Sequence, residues 1–130
     1  MEIELNMKKI IFTNKAPEAI GPYSQAILSN NTLYCSGQIA LNNKGELITE
    51  NIEKETKQII KNITTILNEA NMGLNNIVKT TIFLKDMNDF YLVNSIYEKH
   101  FKLNPPARET VEVSALPKNV NIEISVIAVK

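Results

Sequence analysis

"NIEKETKQIIKNITTILNEANMGLNNIVKTTIFL", Asn51 to Leu84, decides the fold, because the spacing of its apolar residues changes part-way along. Ile52, Thr56, Ile59, Ile60, Ile63, Ile66, Leu67 and Ala70 recur at three and four residues, the period of an amphipathic helix of about five turns. Thr49 or Asn51 can cap its start, and Gly73 suits its stop. From Asn75 to Leu84 the chain turns β-branched and reads as a strand with two useful faces. Working outward, Phe90, Val93, Tyr97 and Phe101 fall on one stripe of a second helix near Asn88 to Phe101. Asp86 or Asn88 can cap that helix, and Pro105 and Pro106 end it. Two strands follow, "ARETVEVSAL" (107–116) and "NVNIEISVIAV" (119–129). Upstream, "KKIIFT" (8–13) reads as a short strand and "SQAILSNNTLYCSGQIAL" (24–41) as two strands about an Asn30-Asn31 turn. Pro17, Gly21 and Pro22 keep the stretch between them irregular, and Gly45 marks another turn. Strands, helix, strand, helix, strands in that order predict an α+β fold with both helices on one face of a mixed sheet. The other face then needs a cover, and the simplest cover for a chain this short is another copy of itself.

Composition narrows the function. At 130 residues the chain predicts a single domain over 1–130. Lys+Arg and Asp+Glu balance at 14 each with no basic tail, which argues against nucleic acid as a partner. No apolar run approaches the ~18 residues of a membrane helix. "MEIELNMKK" has neither the apolar core of a secretory signal nor the arginines of a transit peptide, so a cytoplasmic protein is expected. A single cysteine, Cys35, excludes an internal disulfide. One histidine and one cysteine do not build a common zinc site, so no metal is expected.

Arg108 is the chain's one arginine among 13 lysines. A guanidinium differs from an ammonium where a planar, bidentate fork is needed, which marks Arg108 as a candidate for grasping a carboxylate or phosphate. Strand alternation puts Arg108, Thr110 and Glu112 on one face, and Ala107, Glu109, Val111 and Val113 on the other, which reads as core. The plainer reading of Arg108 is a weak surface pair with Glu112. Glu123 interrupts an apolar strand: either it faces solvent from an edge, or it is a base with a pKa raised by desolvation. Tyr23, in the turn "GPYSQA" (21–26), either offers its hydroxyl to a ligand or packs on the core rim. Gly37, in "CSGQI" (35–39), permits close approach of a ligand or a bulge. Cys35 reads as a small buried apolar residue, and His100 as a partner of a helix C-terminus.

"GPYSQA", "LYCSGQI", "PPARETVEV" and "ALPKNVNIEISVIAV" together resemble the RidA/YjgF family of reactive-intermediate (enamine/imine) deaminases, from about Lys8 to the C-terminus. Residues 1–7 read as an extra tail. The resemblance implies a chorismate-mutase-like fold and a homotrimer with active sites in the clefts between subunits. It implies hydrolysis of 2-imino acids, such as 2-iminopropanoate and 2-iminobutanoate, to 2-oxo acids and ammonia, protecting PLP enzymes, with no cofactor. It implies that Arg108 holds the substrate carboxylate, that Glu123 positions the attacking water, that Tyr23 stands at the pocket, and that Ser36 and Gly37 line it. Thr110 stands beside Arg108 where many relatives carry cysteine. Two other readings remain: a trimer that binds small carboxylates and regulates without turnover, and an endoribonuclease or translation inhibitor.

Overall fold

The computed structural model describes residues 8–130, so the expected tail of residues 1–7 lies outside the described residues. Six strands, β1 (Lys8–Ile11), β2 (Ala26–Ser29), β3 (Thr32–Gln38), β4 (Ile77–Leu84), β5 (Ala107–Glu112) and β6 (Ile122–Val129), form one sheet in the order β1-β2-β3-β6-β4-β5. All neighbours are antiparallel except β4 and β5, which run parallel. The helices are α1 (Ile52–Glu69) and α2 (Phe90–His100), and α2 is the crossover that parallel strands require. The mixed sheet with two helices is the architecture expected.

Local chemistry explains the boundaries. The Asn51 side chain accepts from Lys54 N (2.8 Å), which selects it over Thr49 as the cap of α1. The stop is not Gly73 as expected. Asn71 takes the left-handed conformation (φ 60), its N–H returns to Asn68 O, and Met72 N–H returns to Leu67 O. That is a Schellman end built on asparagine, which tolerates positive φ better than other side chains. Gly73 instead opens a 3-10 turn at Leu74–Asn76, and the strand begins only at Ile77. Asp86 caps a similar turn, Met87–Asp89, ahead of α2.

Ile59, Ile63, Ile66 and Leu67 of α1 pack on Leu33, Ile82, Ile122 and Ile124 of the sheet. A carboxylate is buried among them. Glu55 is fully enclosed, and its two oxygens accept from Asn121 N (2.9 Å) and Asn121 Nδ2 (2.8 Å), tying α1 to the start of β6. Replacing Glu55 by alanine leaves both donors unpaired, so Glu55→Ala is expected to cost about 2–4 kcal/mol in urea unfolding. Glu55→Gln, which keeps one acceptor, should cost clearly less.

The second face of the sheet is open. Backbone register aligns Ile10, Ile27, Tyr34 and Ile127 across four strands, with Ile10 62% and Tyr34 51% exposed. The face of β5 expected as core also lies here: Ala107, Glu109 and Val111 are exposed, and Val113 is partly buried beyond the strand end. Parallel pairing sets this, placing Arg108 beside Thr80 and Thr110 beside Ile82, both buried under the helices. Glu109 joins Lys79 in an ion pair on the open side. In β5 the register with β4, not the strand's own hydrophobicity, decides which way the side chains turn.

Candidate functional site

Glu123 and Gly37 meet at a defect in the sheet. Cys35 pairs with Val126 but Gln38 with Ile124, so β3 carries one extra residue there, a β-bulge at Ser36-Gly37. The space left by the missing side chain of Gly37 is filled by Glu123: a Cβ at position 37 would stand 2.1 Å from its Oε2. The glycine thus accommodates a carboxylate of the chain itself. Burial raises the pKa of Glu123, the direction that goes with the base reading rather than with an edge glutamate facing solvent, and none of the ion pairs among the described residues engages it.

The loop bearing Tyr23 is stitched to this bulge. The buried Gln25 side chain accepts from Thr13 N (2.8 Å) and donates to Thr13 O (3.1 Å) and Pro17 O (2.8 Å). Ser36 donates from its backbone to Gln25 O (2.9 Å) and from its hydroxyl to Ser24 O (2.6 Å). Tyr23 is half-exposed, its hydroxyl accepting from Ile20 N (3.3 Å), and with Gly37, Glu123, Ile39 and Pro117 it lines one cavity. Ser36 holds the loop from beside the cavity.

Arg108 and Thr110 lie elsewhere. The Arg108 guanidinium sits 4.8 Å from the Tyr97 ring centroid and 5.7 Å from that of Phe90, on the helix side of the sheet. Among the described residues no carboxylate pairs with it. The surface pair with Glu112 does not form, because Glu112 accepts instead from Met87 N (2.8 Å). Thr110 Oγ1 is buried without a hydrogen-bond partner among the described residues. Glu123 adjoins Phe83 of β4, while Arg108 adjoins Thr80 three residues away. An odd separation along a strand means opposite faces. One chain therefore holds Tyr23, Gly37 and Glu123 on one side of the sheet and Arg108 with Thr110 on the other.

Cys35 is in the core, and burial pushes its thiol up to about 12, which disarms it as a nucleophile. His100 is exposed at the last turn of α2, its pKa lowered by burial and by Lys57 and Lys99. Tyr97 and Phe90 were readable only as a core stripe; a tyrosine on such a stripe signals a hydroxyl that must find a partner, here Thr80 (2.9 Å). Among the described residues no His, Cys, Asp and Glu side chains gather as a metal-binding group, and no helix is long and apolar enough to cross a membrane.

Comparisons with known proteins match this chain along nearly its whole length. The family model described as Endoribonuclease L-PSP matches residues 13–130. A RutC family protein of Pyrococcus horikoshii is 50% identical over 125 residues, covering 95% of this chain and 99% of that protein. The human protein named 2-iminobutanoate/2-iminopropanoate deaminase is 47% identical over 125 residues, covering 95% and 91%. The crystal structure of the YjgF gene product from E. coli superposes with a TM-score of 0.89 at 44% identity, covering 94% of this chain and 98% of that one.

Proposed function

The chain belongs to the Endoribonuclease L-PSP family, that of RidA and YjgF, and on that premise we propose that it is a 2-iminobutanoate/2-iminopropanoate deaminase. The reaction is hydrolysis of a carbon–nitrogen double bond in a small 2-imino acid. The observation that carries the reading is the guanidinium of Arg108, bedded on two aromatic rings with no protein carboxylate among the described residues to neutralise it. A planar cation presented in this way suits the two oxygens of a substrate carboxylate. The orphan hydroxyl of Thr110, on the same face, is a further donor to that anion.

Glu123 supplies the proton transfer. Its carboxylate takes a proton from water as the oxygen bonds to the imine carbon, giving a carbinolamine. Starting from the protonated imine, that proton then passes from Glu123 to the amino nitrogen. The C–N bond breaks as the hydroxyl oxygen forms the carbonyl and gives up its own proton to Glu123, and the 2-oxo acid and ammonia leave. Tyr23 and Gly37 wall the cavity, and Ser36 holds the loop against it. No metal or organic cofactor enters. Because Arg108 and Glu123 occupy opposite faces of one sheet, a complete site takes its arginine edge from one copy and its glutamate face from the next. A closed homotrimer, with the open apolar face turned inward, provides three such sites and covers that face.

The test is a coupled assay in which a dehydratase makes 2-iminopropanoate from serine and semicarbazide traps what survives; this protein should abolish trapping. Its pH profile carries the sign of the Glu123 shift. The base works ionised, and burial favours the protonated form, so kcat/KM should fall on the acid side from a pH above the ordinary carboxylate range. Glu123→Gln should remove that limb and about 100-fold or more of the rate. RNA cleavage, the activity in the family's description, is not favoured by a chain whose charges balance at 14 each, with no basic excess, and no salt-sensitive RNA binding is expected.

A further inference from the structure

We infer that Tyr97, tethered by Thr80, is a positioning residue that fixes the Arg108 guanidinium for carboxylate capture, an inference that rests on the role proposed for Arg108. An arginine on an edge strand has many rotamers of similar energy, and holding one of them takes contacts. None comes from an acidic side chain or from a hydrogen bond of its own among the described residues. What Arg108 has is rings. Tyr97 is nearest, at 4.8 Å to the centroid, and is itself immobilised: it is buried, packed on Phe101 at 4.4 Å between ring centroids, and bonded through its hydroxyl to Thr80 Oγ1 at 2.9 Å.

Thr80 closes the loop, since it is the residue beside which Arg108 lies in the parallel β4–β5 register. Backbone pairing joins Thr80 to Arg108, a hydroxyl joins Thr80 to Tyr97, and a ring face joins Tyr97 back to the guanidinium. A cation held by a ring face keeps its N–H donors for an anion, whereas one held by a carboxylate has spent them. Burial raises the pKa of Tyr97, so the phenol stays neutral and does not compete with the substrate for Arg108.

The experiment measures equilibrium binding of pyruvate, the 2-oxo acid product, and of its uncharged analogue pyruvamide, to wild type and to Tyr97→Leu, Tyr97→Phe and Thr80→Val, alongside KM and kcat in the trapping assay. Tyr97→Leu should weaken pyruvate by about tenfold, the range of a partly desolvated cation–π contact, with pyruvamide unchanged. KM should rise by a similar factor while kcat stays within about threefold. Tyr97→Phe and Thr80→Val, which keep the ring and cut the tether, should show smaller shifts of the same kind, and they carry the test should Tyr97→Leu fail to fold. Equal loss for pyruvate and pyruvamide, or no change in KM, would overturn the inference, since a merely structural tyrosine acts on both ligands alike. Full pyruvate affinity in Arg108→Lys would instead overturn the carboxylate role of Arg108.

Discussion

Arg108→Lys should lose about 100-fold in kcat/KM for 2-iminopropanoate while the protein keeps its fold and its assembled state. The charge is retained, so a site that needed only positive potential would barely notice the change. What lysine lacks is the flat fork that meets both oxygens of a carboxylate and lies on the rings of Tyr97 and Phe90. An ammonium on a flexible stem binds the acid in many orientations, few of which present the imine carbon to water. Circular dichroism and sedimentation should match wild type, because β5 is an edge strand whose pairing with β4 is made by backbone. A mixing experiment sharpens the result. Arg108→Lys chains refolded together with Glu123→Gln chains should recover about a quarter of wild-type activity, since random assembly in a cyclic oligomer pairs an intact arginine edge with an intact glutamate face in that share of the interfaces. Rates no better than those of the separate variants would mean that both groups must come from one chain, against the division between sheet faces.

Gly37→Ala should nearly match Glu123→Gln in lost activity, although it adds only a methyl group. The new Cβ would stand 2.1 Å from Glu123 Oε2, 2.8 Å from its Cδ and 3.1 Å from its Cγ. All three atoms belong to the outer part of one flexible side chain, which can swing aside. Stability should therefore fall by less than about 1 kcal/mol. Activity should fall by about 100-fold, because the carboxylate can no longer occupy the place from which it is proposed to take a proton from water. The double variant Gly37→Ala with Glu123→Asp, one methylene shorter, should regain part of the loss. Wild-type rates in Gly37→Ala would remove the contact between glycine and glutamate from any account of catalysis.

Much of this arrangement is legible in the sequence where the cause is local. The 3.6-residue period of Ile59, Ile63 and Ile66 gives α1, and alternation puts Ile122, Ile124 and Val126 inward and Glu123 outward. The lone arginine and the carboxylate set in an apolar strand are visible as chemical exceptions. What escapes the sequence is set by partners far along the chain. The direction of Arg108 follows from parallel pairing with Thr80, and the bulge that is one of two sequence readings of Gly37 is set by a one-residue mismatch between β3 and β6. The Schellman end at Asn71 escapes for a different reason. Glycine two residues later is the stronger local signal, yet the helix closes first on a residue that can also turn left-handed.

The proposed site contains no thiol. The one thiol is sealed in the core with its pKa pushed up to about 12, and an alcohol, Thr110, stands next but one to Arg108. Arginine, glutamate, tyrosine, serine, glycine and threonine offer peroxide no route to sulfenic acid, and electrophiles find no thiolate to alkylate. A site so composed would need no reductant to restore these residues after oxidative stress.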